Sequence, residues 1–343
     1  MTRLATTFQR LRASGERALV TYFTAGDPSL EATARLAAEA ERRGADVIEL
    51  GVPFSDPLAD GPVIQRAGQR ALAAGASLAR VLETVKTLRA EVRAPIVLLT
   101  YYNPVLAFGL RPFAEAAAKA GVDGVIVADL PPEEAGPLGA EAEPVGLDVV
   151  HLAAPTSTTD RLRLIARRSR GFIYLVSLTG VTGERAALSR ELEAQVRALR
   201  LVTAKPVCVG FGIGRPEQVA AVGRLADGVI VGSAIVRLVE ERAGSPTLIS
   251  DVGDFIASLK QPLRGRGPGA PVSTTLSTGR VAASSGHDGD ARLPRPPEDT
   301  GLHRSTRAQP RPDASSAAKL GGAPTSERQP RVSRSRTSRS ASE

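Results

Sequence analysis

Eight short runs rich in Val, Ile and Leu recur along the first 260 residues, each followed by a turn signal and then an Ala/Leu/Arg/Glu segment of helical character. They span residues 18–24, 46–51, 95–102, 124–129, 148–153, 171–177, 206–211 and 228–232. Alternation of this kind builds a parallel sheet, because each crossover must carry the chain back before the next strand can pair. Eight such units in a body of this length match a closed (β/α)8 barrel. The rival is a doubly wound open sheet, which commonly carries a glycine fingerprint after its first strand. Here the first run leads into Ala25-Gly26-Asp27-Pro28, with no such fingerprint. The expected fold is therefore α/β, a (β/α)8 TIM barrel over residues 1–260.

From residue 261 to 343 the composition changes. All twelve aromatic residues lie before this point, and seven of the eight net positive charges lie after it. A segment of Arg, Ser, Pro, Gly, Ala and Thr cannot bury enough apolar surface to fold, so residues 261–343 are expected to form a disordered basic tail. It has no aromatic side chain to stack on a base, which argues against specific nucleic-acid binding. The nearly neutral body gives no electrostatic case for such a partner either. The one cysteine, Cys208, allows no intrachain disulfide and no Cys-based metal cluster. With a polar N-terminus and no apolar run of membrane-spanning length, the expectation is a cytoplasmic protein that is not in the membrane.

The longest intervals between runs follow the second and sixth of them, so the active-site loops are expected there, at the C-terminal ends of those strands. In Asp46-Val47-Ile48-Glu49-Leu50-Gly51, alternation puts Ile48 and Leu50 on one face and Val47 and Glu49 on the other. If the branched pair meets the helices, Glu49 points into the barrel near its rim, where barrel enzymes keep acids and bases. The loop that follows carries three prolines, which limit its freedom, and two candidates for a second carboxylate, Asp56 and Asp60. Spacing does not separate them. Residues 178–185, with two glycines, have the composition of a lid. Small residues at Gly210-Phe211-Gly212-Ile213-Gly214 and Gly232-Ser233-Ala234-Ile235 fall where barrels form a phosphate site from bare N–H groups. No metal site, dinucleotide site or activated nucleophile stands out. His151, the only histidine of the body, reads as a satisfied strand residue, so the chemistry falls to carboxylates.

The run Glu49-Leu50-Gly51-Val52-Pro53-Phe54-Ser55-Asp56-Pro57-Leu58-Ala59-Asp60-Gly61-Pro62 resembles the tryptophan synthase α subunit family. So do Thr24-Ala25-Gly26-Asp27-Pro28, Tyr101 with Asn103-Pro104, Val127-Ala128-Asp129-Leu130-Pro131 and Gly180-Val181-Thr182-Gly183. The resemblance implies a lyase that cleaves indole-3-glycerol phosphate to indole and glyceraldehyde 3-phosphate by a retro-aldol route. It implies no cofactor in this chain, and a β subunit carrying pyridoxal phosphate that takes the indole within an αββα complex. By the same resemblance, Glu49 moves the protons and Asp60 holds the ring N–H. Tyr22, Leu99, Ile126, Leu152, Tyr174 and Phe211 would line the indole pocket, while Gly183, Gly212, Gly232 and Ser233 would bind phosphate. Thr182 would close the lid onto Asp60, and Pro53 and Asp56 would face the partner. Two departures stand out: Tyr22 occupies a position where Phe is frequent, and Leu178-Thr179 stands where some members have Arg-Ala. The tail has no counterpart in the family.

Overall fold

A computed structural model of the chain describes residues 1–177, 185–210 and 212–265, with the side chains of 185–189 excepted. In order, the elements are α1 (Arg3–Ala13), β1 (Ala18–Thr24), α2 (Leu30–Arg42), β2 (Val47–Gly51), α3 (Pro62–Ala73), α4 (Leu78–Leu88) and β3 (Ile96–Thr100). Then come α5 (Tyr102–Phe108), α6 (Leu110–Ala120), β4 (Gly124–Val127), α7 (Gly136–Ala142), β5 (Asp148–Val150), β6 (Leu152–Ala153), α8 (Thr159–Arg168) and β7 (Ile173–Val176). The series ends with α9 (Arg185–Arg200), β8 (Val207–Gly210), α10 (Pro216–Gly223), β9 (Gly228–Val231), α11 (Ser233–Arg242) and α12 (Leu248–Lys260).

All ladders are parallel, in the order β5-β4-β3-β2-β1-β9-β8-β7-β6. The two outermost strands are halves of one run, 148–153, interrupted at His151. Its first half pairs with β4 and its second with β7, so the chain itself closes the ring. The barrel expected from eight runs is therefore present, with its fifth stave split in two. The interval after β2 is filled by a loop and two helices, α3 and α4. The long interval after β7 holds residues 178–184, outside the described residues, and the 16-residue α9.

Strand alternation divides the core as period two requires. Ile48, Leu50, Leu98, Val125 and Val209 face the helices, whereas Val20, Val47, Val97, Ile126, Val150 and Cys208 fill the barrel interior. Amphipathic α1 closes the N-terminal end. Its Leu4, Phe8 and Leu11 join the interior cluster, and Phe8 packs on Phe172 at a ring separation of 5.7 Å. Past α12, a 3-10 turn at Gln261–Leu263 buries Leu263, whose carbonyl accepts from Arg17 N–H at 2.9 Å. The packed chain thus runs slightly beyond the boundary expected at 260; the rest of the expected tail, from 266, lies outside the described residues.

At the N-terminal end, aspartates accept the N–H of a residue at the start of a neighbouring strand. Asp46 donates its N–H to the Leu19 carbonyl (2.9 Å) and accepts the Leu19 N–H on its carboxylate (2.9 Å). Asp123 does the same with Ile96, at 2.8 Å for both bonds. Asp227 does so with Val207, at 2.9 and 2.8 Å. Each carboxylate also meets a cation: Asp46 meets buried Lys260 at 2.7 Å, Asp123 meets Arg89 and Arg3, and Asp227 meets Arg200. Charge-assisted bonds of this kind are the stronger class. Replacing Asp46 by Ala removes the acceptor for Leu19 and leaves the Lys260 ammonium with Glu16, 3.2 Å away, as its remaining carboxylate among the described residues. Breaking a buried pair costs about 3 kcal/mol. Urea unfolding of Asp46→Ala is expected to report a loss of that order at unchanged m-value; a loss under about 1 kcal/mol, the range of an exposed pair, would deny the clamp its role.

Candidate active site

The C-terminal end of the barrel opens into a cavity of about 430 Å³. Strand alternation decides which side chains reach it. β2 sends Ile48 and Leu50 to the helices and Glu49 inward, where the residue is 1% exposed and one carboxyl oxygen, Oε2, has no hydrogen-bond partner among the described residues. Burial, and secondarily the charge of Asp60, push the Glu49 carboxyl up to about 8. A carboxyl so placed holds its proton at neutral pH.

Asp60 reaches the same cavity from the loop after β2. The loop is pinned from the end of β3: the Tyr101 hydroxyl accepts from the Ala59 N–H at 3.0 Å and donates to the Asp60 carboxylate, and its ring packs on Phe54 at 5.3 Å. Burial raises the Asp60 carboxyl, and the bond from Tyr101 opposes that rise. The two aspartates that spacing left level are now distinct. Asp56 is exposed on the outer side of the loop, taking a bond from Ser55 Oγ at 2.5 Å, whereas Asp60 is on the cavity wall.

The rest of the wall is largely apolar. Leu99, Leu152, Val176 and Ile230 come from strands, Ile64 from α3 and Ala128 from the end of β4. Tyr22 and Tyr174 complete it, and both phenols are raised by burial. Room for the two rings is made by glycines. A Cβ at Gly51 would overlap the Tyr22 hydroxyl, and one at Gly210 would lie 2.5 Å from the Tyr174 hydroxyl. Gly212, Gly232 and Ser233 also line the cavity, with Ser233 the first residue of α11. The wall includes no Lys or Arg among the described residues. An anion bound there would rest on N–H groups, a hydroxyl and the helix dipole.

Of the residues singled out by sequence, Tyr22, Glu49, Asp60, Leu99, Leu152, Tyr174, Gly212, Gly232 and Ser233 are gathered here. Ile126 is not on the wall. It is fully buried in the interior cluster, because β4 ends one residue later and Ala128 takes the rim position. Pro53 is buried under the loop rather than presented outward. Phe211, Thr182, Gly183 and the Leu178-Thr179 pair lie outside the described residues. Sequence reasoning did not assign a site role to Tyr101 or Ile64; the signal for Tyr101 was its place just beyond a barrel strand, where functional groups collect. Among the described residues no group of three or more His, Cys, Asp or Glu is placed to hold a metal ion, and no helix is long and apolar enough to cross a membrane.

The chain matches the family model described as tryptophan synthase alpha chain over residues 8–260. A tryptophan synthase alpha chain of Geobacter sp. (strain M21) is 49% identical over 261 residues, covering 76% of this chain and 97% of the relative. That of Geobacter sulfurreducens is 50% identical over 261 residues, covering 76% and 98%. The crystal structure of tryptophan synthase subunit alpha from Legionella pneumophila str. Paris superposes with a TM-score of 0.72 at 38% identity, covering 77% of this chain and 98% of that one. Sequence and fold agree, and the chain belongs to the tryptophan synthase alpha chain family.

Proposed function

We propose that this cavity carries out the lyase reaction of the family on two unequal carboxylates, Glu49 and Asp60. The reaction is the cleavage of indole-3-glycerol phosphate to indole and glyceraldehyde 3-phosphate in tryptophan biosynthesis. Breaking the bond between indole C3 and the glycerol chain requires that C3 first gain a proton, since the pair that forms the bond is tied to an aromatic ring. Glu49 donates that proton. The positive charge that results on the ring nitrogen is met by Asp60, which accepts the N–H. Loss of the proton from the adjacent glycerol hydroxyl, with Glu49 as base, turns that carbon into the aldehyde. The bonding pair returns to the ring, which becomes indole. Only proton transfers are required, so the reading assigns this chain no cofactor.

The observation that carries the reading is the buried Glu49 carboxyl, its Oε2 unpartnered among the described residues, held in its acid form near Asp60. The phosphate is assigned to Gly212, Gly232 and Ser233 at the start of α11. Gly183 and a lid closing through Thr182 onto Asp60 are carried over from the family resemblance, as is Phe211 against the indole ring. Tyr22, Leu99, Leu152 and Tyr174 supply the apolar walls, and Ile126 supports them from below. A β subunit with pyridoxal phosphate receives the indole in an αββα complex in the cytoplasm. Asp56 and Leu58, the latter 94% exposed, face it from the loop after β2, with buried Pro53 shaping the loop from beneath.

Glu49→Gln is expected to lower indole release by about 10²- to 10⁴-fold, the usual contribution of a positioned acid/base, while binding of phosphate esters persists. The assay is indole formation from indole-3-glycerol phosphate with and without a β subunit; turnover like that of the unaltered chain would reject the role. The same substitution tests the raised carboxyl. A Glu whose folded value lies above its ordinary 4.5 contributes stability that is fully present below that pH and is lost as pH rises through about 8. The Gln variant should therefore match the unaltered chain in thermal unfolding near pH 4 and exceed it near pH 9; parallel curves would remove the shift. A third expectation concerns the tail. Because Leu263 is the last buried residue among those described, a chain ending at residue 265 should retain lyase activity, and its loss in folded protein would give the tail a function.

A further inference from the structure

Two helices start at the cavity, one at each of its polar ends. α3 begins at Pro62, two residues after Asp60, and α11 begins at Ser233, directly after Gly232. They pack on each other in one buried cluster, where Ala67 of α3 and Val236 of α11 meet Tyr22. One turn beyond Val236, on the same face of α11, lies Glu240. Its carboxylate accepts from Arg66 Nε at 3.0 Å and Arg66 Nη2 at 2.9 Å, and from Arg70 Nη1 at 2.8 Å. Both arginines are on α3. Arg70 then uses Nε (2.9 Å) and Nη2 (2.8 Å) to grip the buried carboxylate of Asp27, in the loop after β1.

Glu240 is poorly placed for its own helix. It sits in the last turn of α11, where the macrodipole disfavours an anion. The arginines nevertheless hold its carboxyl down to about 2, through the hydrogen bond from Arg66 above all. Arg66 is half-exposed, and ion pairs of that kind add little to stability. What the clasp does supply is geometry: three hydrogen bonds from one helix to one carboxylate on the other fix their spacing and crossing. A ligand gripped by Asp60 at one end and by the start of α11 at the other spans the distance that this helix pair defines.

We infer that the Arg66–Arg70–Glu240 clasp sets the separation between the ring-binding and phosphate-binding ends of the cavity, making α3 and α11 a calliper that selects ligands by the length of the linker between ring and phosphate. The inference rests on the reading of Asp60 and Gly232–Ser233 given above. Arg66, Arg70 and Glu240 touch no substrate atom; they are positioning residues. Rigid elements hold such a distance better than loops do, and misplacement by about 1 Å is enough to cost a large factor in rate.

The test uses the full chain and three probes, the phosphate monoesters of indole-3-ethanol, indole-3-propanol and indole-3-butanol, with binding measured by calorimetry. The unaltered chain should prefer the three-carbon linker, which matches the glycerol chain. Glu240→Ala should reduce that preference by about five-fold or more, the lower end of typical couplings between sites. Glu240→Gln, which keeps an acceptor for Arg66, should retain most of it. Arg70 is left in place because its removal would strand the buried Asp27 carboxylate and threaten folding. If Glu240→Ala keeps the original preference, or weakens all three probes equally, the calliper is overturned while the reading of the cavity stands. If the unaltered chain binds none of the three, the reading of the cavity fails and the calliper falls with it.

Discussion

The paired bonds between Asp46 and Leu19 set the register of β1 against β2, and the cavity depends on that register. Once Asp46 is locked to Leu19, Val20 must pair with Val47, Tyr22 with Glu49 and Thr24 with Gly51. Tyr22 therefore stands beside the acid it helps to bury, and its hydroxyl meets the one residue of β2 without a Cβ. A slip of one residue would turn Glu49 toward the helices and Ile48 into the barrel, exchanging the contents of the two cores. The ion pair with Lys260 strengthens the lock from the last helix of the fold, so the end of the packed chain holds the start of the sheet in place.

Glu49 in the cavity is treated differently from the carboxylates at the N-terminal end of the barrel. At the N-terminal end Asp46, Asp123, Asp148 and Asp227 each have backbone or side-chain donors and a cation. In the cavity, among the described residues, Glu49 has an oxygen with no partner and no Lys or Arg is on the wall. An unpaired buried carboxylate is expensive, so the group keeps its proton instead. The paired carboxylates hold strands together, and Glu49 is left with a proton available for chemistry.

Much of this was legible in the sequence, and the parts that were not have physical reasons. Period-two alternation in β2 was enough to aim Glu49 inward, because a strand has only two faces. The loop beyond it has no period. Asp56 and Asp60 were therefore equivalent until tertiary burial, and the hydroxyl of Tyr101 from a neighbouring strand, separated them. Pro53 and Ile126 show the same limit: each was placed by resemblance, but whether a residue lies on a wall or beneath it depends on where its strand or loop ends. Two of the three aspartate clamps left a local trace, in Gly44-Ala45-Asp46 and Gly121-Val122-Asp123. Its meaning appears only with the partner strand, since the bond is made to a residue 27 positions away for both Asp46 and Asp123.

The proposed division of labour between the carboxylates follows from their unequal surroundings more than from their identity. Both are raised by burial, yet Glu49 has only the further charge of Asp60 to contend with, which raises it again. Asp60 is less buried, and its hydrogen bond from Tyr101 favours the anion. Of the two, Glu49 is held more firmly in its acid form, and the bond from Tyr101 favours the anion at Asp60, a contrast of environments that commonly separates two neighbouring carboxyls. Protonation at C3 requires an acid, and a cationic ring nitrogen requires an anion. The proposed roles follow that contrast, since the loop carboxylate has the Tyr101 hydroxyl to favour its anion and burial keeps the proton on the strand carboxyl.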